Sequence, residues 1–130
     1  MTMHVASEGH IWRLGDSFLV EAFFKTTSRR LEHGHPGERF PLLLALSSAA
    51  VPAWQVPRLR EELSTVQSEL SQLHPRWLVW EFAPPAPRRP WNIGLPNLSQ
   101  CFVDSGLSLF AMFDLALAYA IEHRQPVKIF

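Results

Sequence analysis

Apolar residues at helical spacing restrict the fold of this chain more than any other feature of its sequence. After Pro57, a residue type favoured in the first turn of a helix, apolar side chains recur at steps of four and three positions. This spacing predicts an amphipathic helix, which Pro75 closes. The stripe consists of Leu59, Leu63, Val66, Leu70 and Leu73.

A second helix is predicted from about Ser105 or Gly106 to His123, and Pro126 prevents its continuation. Apolar residues occupy nearly all of its faces, so we expect it to lie between a sheet and another layer. The apolar stretch 107–121 is shorter than the roughly 20 residues that a membrane crossing takes. We therefore expect a buried helix, with Asp114 facing water.

Short apolar stretches predict the strands. Residues 18–24, 40–46 and 77–82 are the clearest candidates, and residues 127–130 are a weaker one. Two further candidates lie near residues 4–6 and 11–14. Together with the two helices, these strands predict an α+β fold for residues 1–130. We expect a single domain with a mostly antiparallel β-sheet and two main α-helices packed on it.

Composition narrows the class of protein without naming an activity. Hydrophobic residues make up 47% of the 130 residues, which is too apolar for a disordered chain. Lys plus Arg and Asp plus Glu number 12 each, so a broad electrostatic footprint for nucleic acid is disfavoured. Cys101 is the only cysteine, and no secretory signal is recognisable at the N-terminus. We expect a cytoplasmic protein in which Cys101 is buried and inert.

Two short motifs could carry chemistry, and the residues around them favour structural interpretations. The segment 15–18 (Gly-Asp-Ser-Phe) is similar to the nucleophile block of GDS-type lipolytic hydrolases. Their downstream Asp-x-x-His is missing, since Ala120 stands three positions before His123, so we favour a turn. The segment 33–35 (His-Gly-His) could bind a metal with Glu32 or Glu38, but we favour a solvated loop. We therefore expect no catalytic residue, cofactor or metal.

Other residues are candidates for contacts with a partner. Residues 84–89 match a PxxPxR pattern, and we favour a rigid surface loop in which Arg88, Arg89 and Trp91 form a contact patch. Trp54, in the connection before the first helix, is a second candidate. Glu61 and Glu62 point about 100° apart on a helix, so we expect a solvated face and not a catalytic pair.

The order of several strings resembles a known family. The segment 37–47 (Gly-Glu-Arg-Phe-Pro-Leu-Leu-Leu-Ala-Leu-Ser) leads through Trp54 into 57–63 (Pro-Arg-Leu-Arg-Glu-Glu-Leu). The segment 97–104 (Asn-Leu-Ser-Gln-Cys-Phe-Val-Asp) follows. The remaining matches are Gly106, Leu109, Ala120, Pro126, Val127 and Phe130. This pattern resembles bacterial immunity protein family 70, encoded beside polymorphic toxins, over residues 37–73 and 97–130.

Two departures accompany this resemblance. The acidic loop of that family is replaced by residues 47–53, which contain no carboxylate. Val56 stands where the family has a capping serine. Contact positions of the family are therefore not transferred to this chain.

The resemblance implies a cytoplasmic antidote in interbacterial competition that binds a cognate toxin domain, encoded by an adjacent gene, and occludes its active site. No nucleic acid, membrane or small-molecule substrate is expected. The candidate contacts are Trp54, Glu61, Glu62, Arg88, Arg89 and Trp91. The alternatives are a small hydrolase using Ser17, a detoxifying enzyme, or an adaptor bound through its Pro-rich loop.

Overall fold

The computed structural model describes residues 1–80, 95–104 and 106–130. In chain order the elements are β1 (Thr2–Ser7), β2 (His10–Asp16), α1 (Ser17–Leu31), α2 (Pro41–Ser48), α3 (Val56–Leu70), β3 (Val103–Asp104), β4 (Leu107–Ser108), α4 (Leu109–His123) and β5 (Lys128–Ile129). Short 3-10 turns cover Ala53–Gln55, Pro75–Trp77 and Leu98–Cys101.

The sheet is antiparallel, with strand order β2-β1-β5. β1 and β2 form a hairpin whose two loop residues, Glu8 and Gly9, both have positive φ (46° and 81°). This backbone matches the right-handed twist of the strands, and glycine adopts it without steric cost. The predicted strands near residues 4–6 and 11–14 are confirmed, and β5 confirms the one expected within 127–130.

The predicted strand at residues 18–24 is wrong, because this stretch belongs to helix α1. Asp16 ends β2 and caps the helix, its Oδ1 accepting a hydrogen bond from the Phe18 backbone N–H at 2.9 Å. Buried positions then recur at helical spacing along the element. They are Leu19, Val20, Ala22, Phe23, Thr26, Thr27 and Leu31.

The predicted strand at residues 40–46 is also wrong, because Pro41–Ser48 is helix α2. Pro41 occupies the first turn, where its missing N–H and fixed φ suit a helix. The predicted strand at 77–82 is wrong as far as it is described. Trp77 ends a 3-10 turn and residues 78–80 have no regular structure, while residues 81 and 82 lie outside the described part.

Both helices predicted from spacing are confirmed as α3 and α4. α4 begins at Leu109, later than expected, because Val103–Asp104 and Leu107–Ser108 form the β3–β4 pair just before it. Within the described residues there are four α-helices, so the α+β class is confirmed. The sheet is antiparallel as expected, whereas the expectation of two main helices packed on it is inexact, because helices form most of the regular structure described. None of the helices in the described ranges has the length and apolarity needed to span a bilayer.

The hydrophobic core lies where α1, α3 and α4 pack together with the sheet. Phe23 of α1 is fully buried, and its ring makes edge-on contacts with Phe102 and Phe110, each at 5.4 Å between centroids. Such aromatic pairs add to the free energy gained from burying apolar surface. Phe23 therefore joins α1 to the segment that leads into α4.

Replacing Phe23 with alanine should lower the free energy of unfolding by about 3–5 kcal/mol, because it leaves a cavity beside two aromatic rings. Urea denaturation followed by tryptophan fluorescence measures the change. The matched control is Leu115→Ala on the exposed side of α4, which should stay within about 0.5 kcal/mol. Similar losses in the two variants would contradict this placement of the core.

Candidate functional site

A buried carboxylate holds the start of α2. Glu62 of α3 is 8% exposed, and its Oε1 accepts hydrogen bonds from the backbone N–H groups of Leu42 and Leu43, both at 3.1 Å. Phe40, the residue before the helix, supplies no capping side chain. Glu62 therefore satisfies N–H groups that the first turn of a helix otherwise leaves unpaired. The expectation that Glu62 lies on a solvated face is wrong.

Burial raises the pKa of Glu62 above its ordinary value, because desolvation penalises the charged form. The hydrogen bonds from Leu43 and Leu42 act in the opposite direction, as does the positive charge of Arg58. The contacts of the Glu62 carboxyl group thus give it a structural role in holding α2 against α3.

A second buried carboxylate organises the loop between α1 and α2. Glu32 is 4% exposed, and its Oε2 accepts from the backbone N–H groups of Arg39 and Phe40 at 3.1 and 3.2 Å. The Arg39 guanidinium bonds the Leu31 carbonyl at 3.1 Å and a carboxylate oxygen of Glu69 at 2.8 Å. These bonds close the loop back on the end of α1.

The same loop carries the histidines that were weighed as metal ligands. His33 and His35 are exposed and lie outside any helix or strand, so the predicted solvated loop is confirmed. In the described part of the chain, no group of three or more His, Cys, Asp or Glu residues is placed to hold a metal ion. Glu32, the other proposed ligand, is occupied by backbone N–H groups.

The loop forms one wall of a groove of about 370 Å³ between α1 and α2. Phe24, Leu43 and Leu44 supply apolar lining. Gly37 faces Leu44 so closely that an added Cβ would lie 2.6 Å from the Cδ2 atom. The groove is a concave surface feature with no assembled catalytic set among its described lining residues.

Among the described residues, the sequence-predicted contact residues differ in exposure. Trp54 is 79% exposed in the 3-10 turn before α3, and Glu61 is exposed on that helix. Glu62 points into the protein instead. The remaining candidates, Arg88, Arg89 and Trp91, lie outside the described residues.

Sequence reasoning missed a second exposed tryptophan. Trp77 is 41% exposed, although it was assigned to a strand. The guanidinium carbons of Arg30 and Arg76 lie 5.0 and 5.3 Å from its ring centroid. The available signal was Pro75 directly before Arg76 and Trp77, since proline starts a short turn more readily than a central strand.

The other side chains considered for chemistry, Ser17, Cys101 and Asp114, have structural roles or neighbours. The predicted turn at residues 15–18 is wrong, because Gly15 and Asp16 end strand β2 and Ser17 begins helix α1 beside its cap Asp16. Cys101 is 1% exposed, and burial raises the pKa of its thiol to about 11, so the predicted buried thiol is confirmed. Asp114 is exposed, as expected, and its Oδ1 lies 2.8 Å from the Arg60 Nε.

The role of Glu62 predicts different effects for substitution by alanine and by glutamine. Glu62→Ala should lower the free energy of unfolding by about 1–3 kcal/mol, because the N–H groups of Leu42 and Leu43 lose their acceptor. Glu62→Gln keeps an acceptor oxygen and removes the buried charge. Urea denaturation at several pH values measures both, and Glu61→Ala is the exposed control. Equal losses for the two alanine variants would contradict the capping role.

The pH dependence follows from the raised pKa of Glu62, whose unfolded value is near 4.5. The folded state binds the proton more tightly, so the resulting stability is present below pH 4.5 and is lost as the pH rises through the folded-state pKa. Glu62→Gln has no proton to release. Its free energy of unfolding should therefore increase relative to that of the wild type as the pH rises through the folded-state pKa of Glu62.

Comparison with known proteins identifies the family of this chain. Neither the curated proteins nor the solved structures gave a match. The model of one protein family, described as Immunity protein 70, matches residues 5–129. This match spans nearly the whole chain, including the first hairpin, which the sequence resemblance did not cover. The chain belongs to the immunity protein 70 family.

Proposed function

We propose that this protein is an immunity protein that neutralises a cognate toxin domain by binding it one to one and occluding its active site. The observation that carries the proposal is the family match over residues 5–129. The toxin domain would be encoded by an adjacent gene of a polymorphic toxin system, and the immunity protein would act in the cytoplasm as a single domain over residues 1–130.

The surface offers an exposed aromatic anchor for such a complex. Trp54 is a large aromatic side chain that is 79% exposed, on a turn that leads into the rigid, well-packed helix α3. Tryptophans are enriched among the residues that contribute most to binding energy. An interface of roughly 1,200–2,000 Å² would be typical of a specific complex of this kind.

The proposed contacts follow from exposure. Trp54 and Glu61 are retained because both side chains reach solvent, Trp54 in the turn before α3 and Glu61 in the first half of that helix. Arg88, Arg89 and Trp91 are retained as contacts proposed from the sequence alone. Glu62 is not retained, because its carboxylate is bonded to the start of α2.

The amount of protein needed for protection distinguishes an occluding inhibitor from an enzyme. Titrating the purified protein into a fixed amount of the toxin domain from the adjacent gene should abolish toxin activity at a ratio of about one to one. The measurement is residual toxin activity against added protein. Complete protection far below equimolar amounts would instead indicate catalytic detoxification and would contradict the proposal.

Trp54→Ala should weaken binding of the toxin domain by about thirtyfold while leaving the free energy of unfolding within about 0.5 kcal/mol, because the side chain is mostly exposed. Isothermal titration calorimetry measures the affinity. The matched control is Leu115→Ala, an exposed apolar residue on α4, which should bind like the wild type. Unchanged affinity in the Trp54 variant would remove this residue from the interface.

A further inference from the structure

We propose that Arg30, Arg76 and Trp77 form a binding site for an acidic segment of the toxin domain. This inference rests on the proposed function and specifies a surface and a partner chemistry for it. The three residues, called here the Arg–Trp site, come from the last turn of α1 and the 3-10 turn at Pro75–Trp77.

The Arg–Trp site is built on contacts that fix its shape. The Arg30 Nε donates a hydrogen bond to the Trp77 carbonyl oxygen at 3.0 Å, which ties the turn to α1. A second tie lies close by, where the Val79 backbone N–H donates to the buried Thr26 Oγ1 at 3.0 Å. The turn is also capped internally, since His74 Nδ1 accepts from the Arg76 backbone N–H at 3.0 Å. Such a site loses little conformational entropy on binding.

Both guanidinium groups pack against one indole ring, at 5.0 and 5.3 Å from its centroid. Cation–π contacts of this kind leave N–H groups of a guanidinium free to bind a ligand, and in Arg30 the Nε–H is the one already bonded to the Trp77 carbonyl. Trp77 remains 41% exposed, so the ring itself can also be covered by a partner.

The charge of the Arg–Trp site is not compensated within the described part of the protein. Two other arginines there are paired, Arg39 with Glu69 and Arg60 with Asp114. Across the described ranges, neither Arg30 nor Arg76 takes part in an ion pair. Two positive charges held beside one ring favour an anion, and the paired edges of guanidinium match a carboxylate in bidentate geometry.

The anion expected here is carboxylate on a protein. A nucleic acid would be attracted by an extended basic surface, whereas this chain has 12 Lys plus Arg against 12 Asp plus Glu. A compact pair of arginines around a tryptophan instead has the composition of a protein–protein hot spot. The matching partner surface is a short segment with Asp or Glu side chains.

Reversing the two charges tests the proposal. The double variant Arg30→Glu/Arg76→Glu should bind the toxin domain from the adjacent gene about 100-fold more weakly than the wild type in calorimetry. The matched control, Arg124→Glu/Lys128→Glu, reverses two exposed charges, one at the end of α4 and one in β5, and should change the affinity less than about threefold. Raising the salt concentration should weaken binding of the wild type more than that of the double variant.

The outcomes separate this inference from the proposed function. If the wild type binds the toxin domain and the double variant binds equally well, the Arg–Trp site is overturned and the immunity function stands. If the wild type does not bind the toxin domain, the proposed function fails and the inference falls with it. If the double variant loses affinity for a single-stranded RNA 20-mer while its affinity for the toxin domain is unchanged, the assignment to a protein segment is also overturned.

A folding control keeps the test decisive. Arg30 supplies a hydrogen bond to the turn, so the double variant is checked by thermal denaturation against the wild type. Arg76→Glu alone retains that bond, because Arg30 is the donor and the Arg76 guanidinium instead packs against the Trp77 ring. The single variant should still lose about tenfold in toxin affinity, and unchanged binding in it would contradict the proposal.

Discussion

Hydrogen bonds from the start of α2 to the Glu62 carboxylate join α2 to α3. The apolar spacing of neither helix indicates this contact. α2 begins at Pro41 with no capping side chain of its own, so its first N–H groups depend on an acceptor 20 residues away in the sequence. Burying a carboxylate is unfavourable, and the two N–H donors offset that cost. The position of α2, and with it one wall of the groove, therefore follows from a contact made by α3.

Of the four helices in the described ranges, α3 and α4 could be predicted from the sequence, whereas the residues of α1 and α2 were expected to form strands. α3 and α4 carry apolar residues over several turns, and that repetition distinguishes a helix from a strand. The stretches at 18–24 and 40–46 are short continuous apolar runs, which lack such a period. Asp16 before the first run and Pro41 in the second were the local signals for helix starts.

The candidate site was predictable only in part, for a related reason. Trp54 lies in a connection, where exposure could be expected, and the structure confirms that it is exposed. Trp77 lies in an apolar stretch that suggested a buried strand. Its contact with Arg30 joins residues 47 positions apart, so spacing alone gives no indication of it. Likewise, Glu62 resembled an ordinary surface residue beside Glu61 until its acceptor role was visible.

The pairing of β1 with β5 has a consequence for how the protein is made. β1 is the central strand, yet the second of its neighbours comes from the far end of the chain, with Val5 opposite Ile129. During synthesis the ribosome releases β1 long before β5 has been translated. The three-stranded sheet can therefore form only once residues 128 and 129 have left the ribosome, which makes the pairing of β1 with β5 a late step of folding.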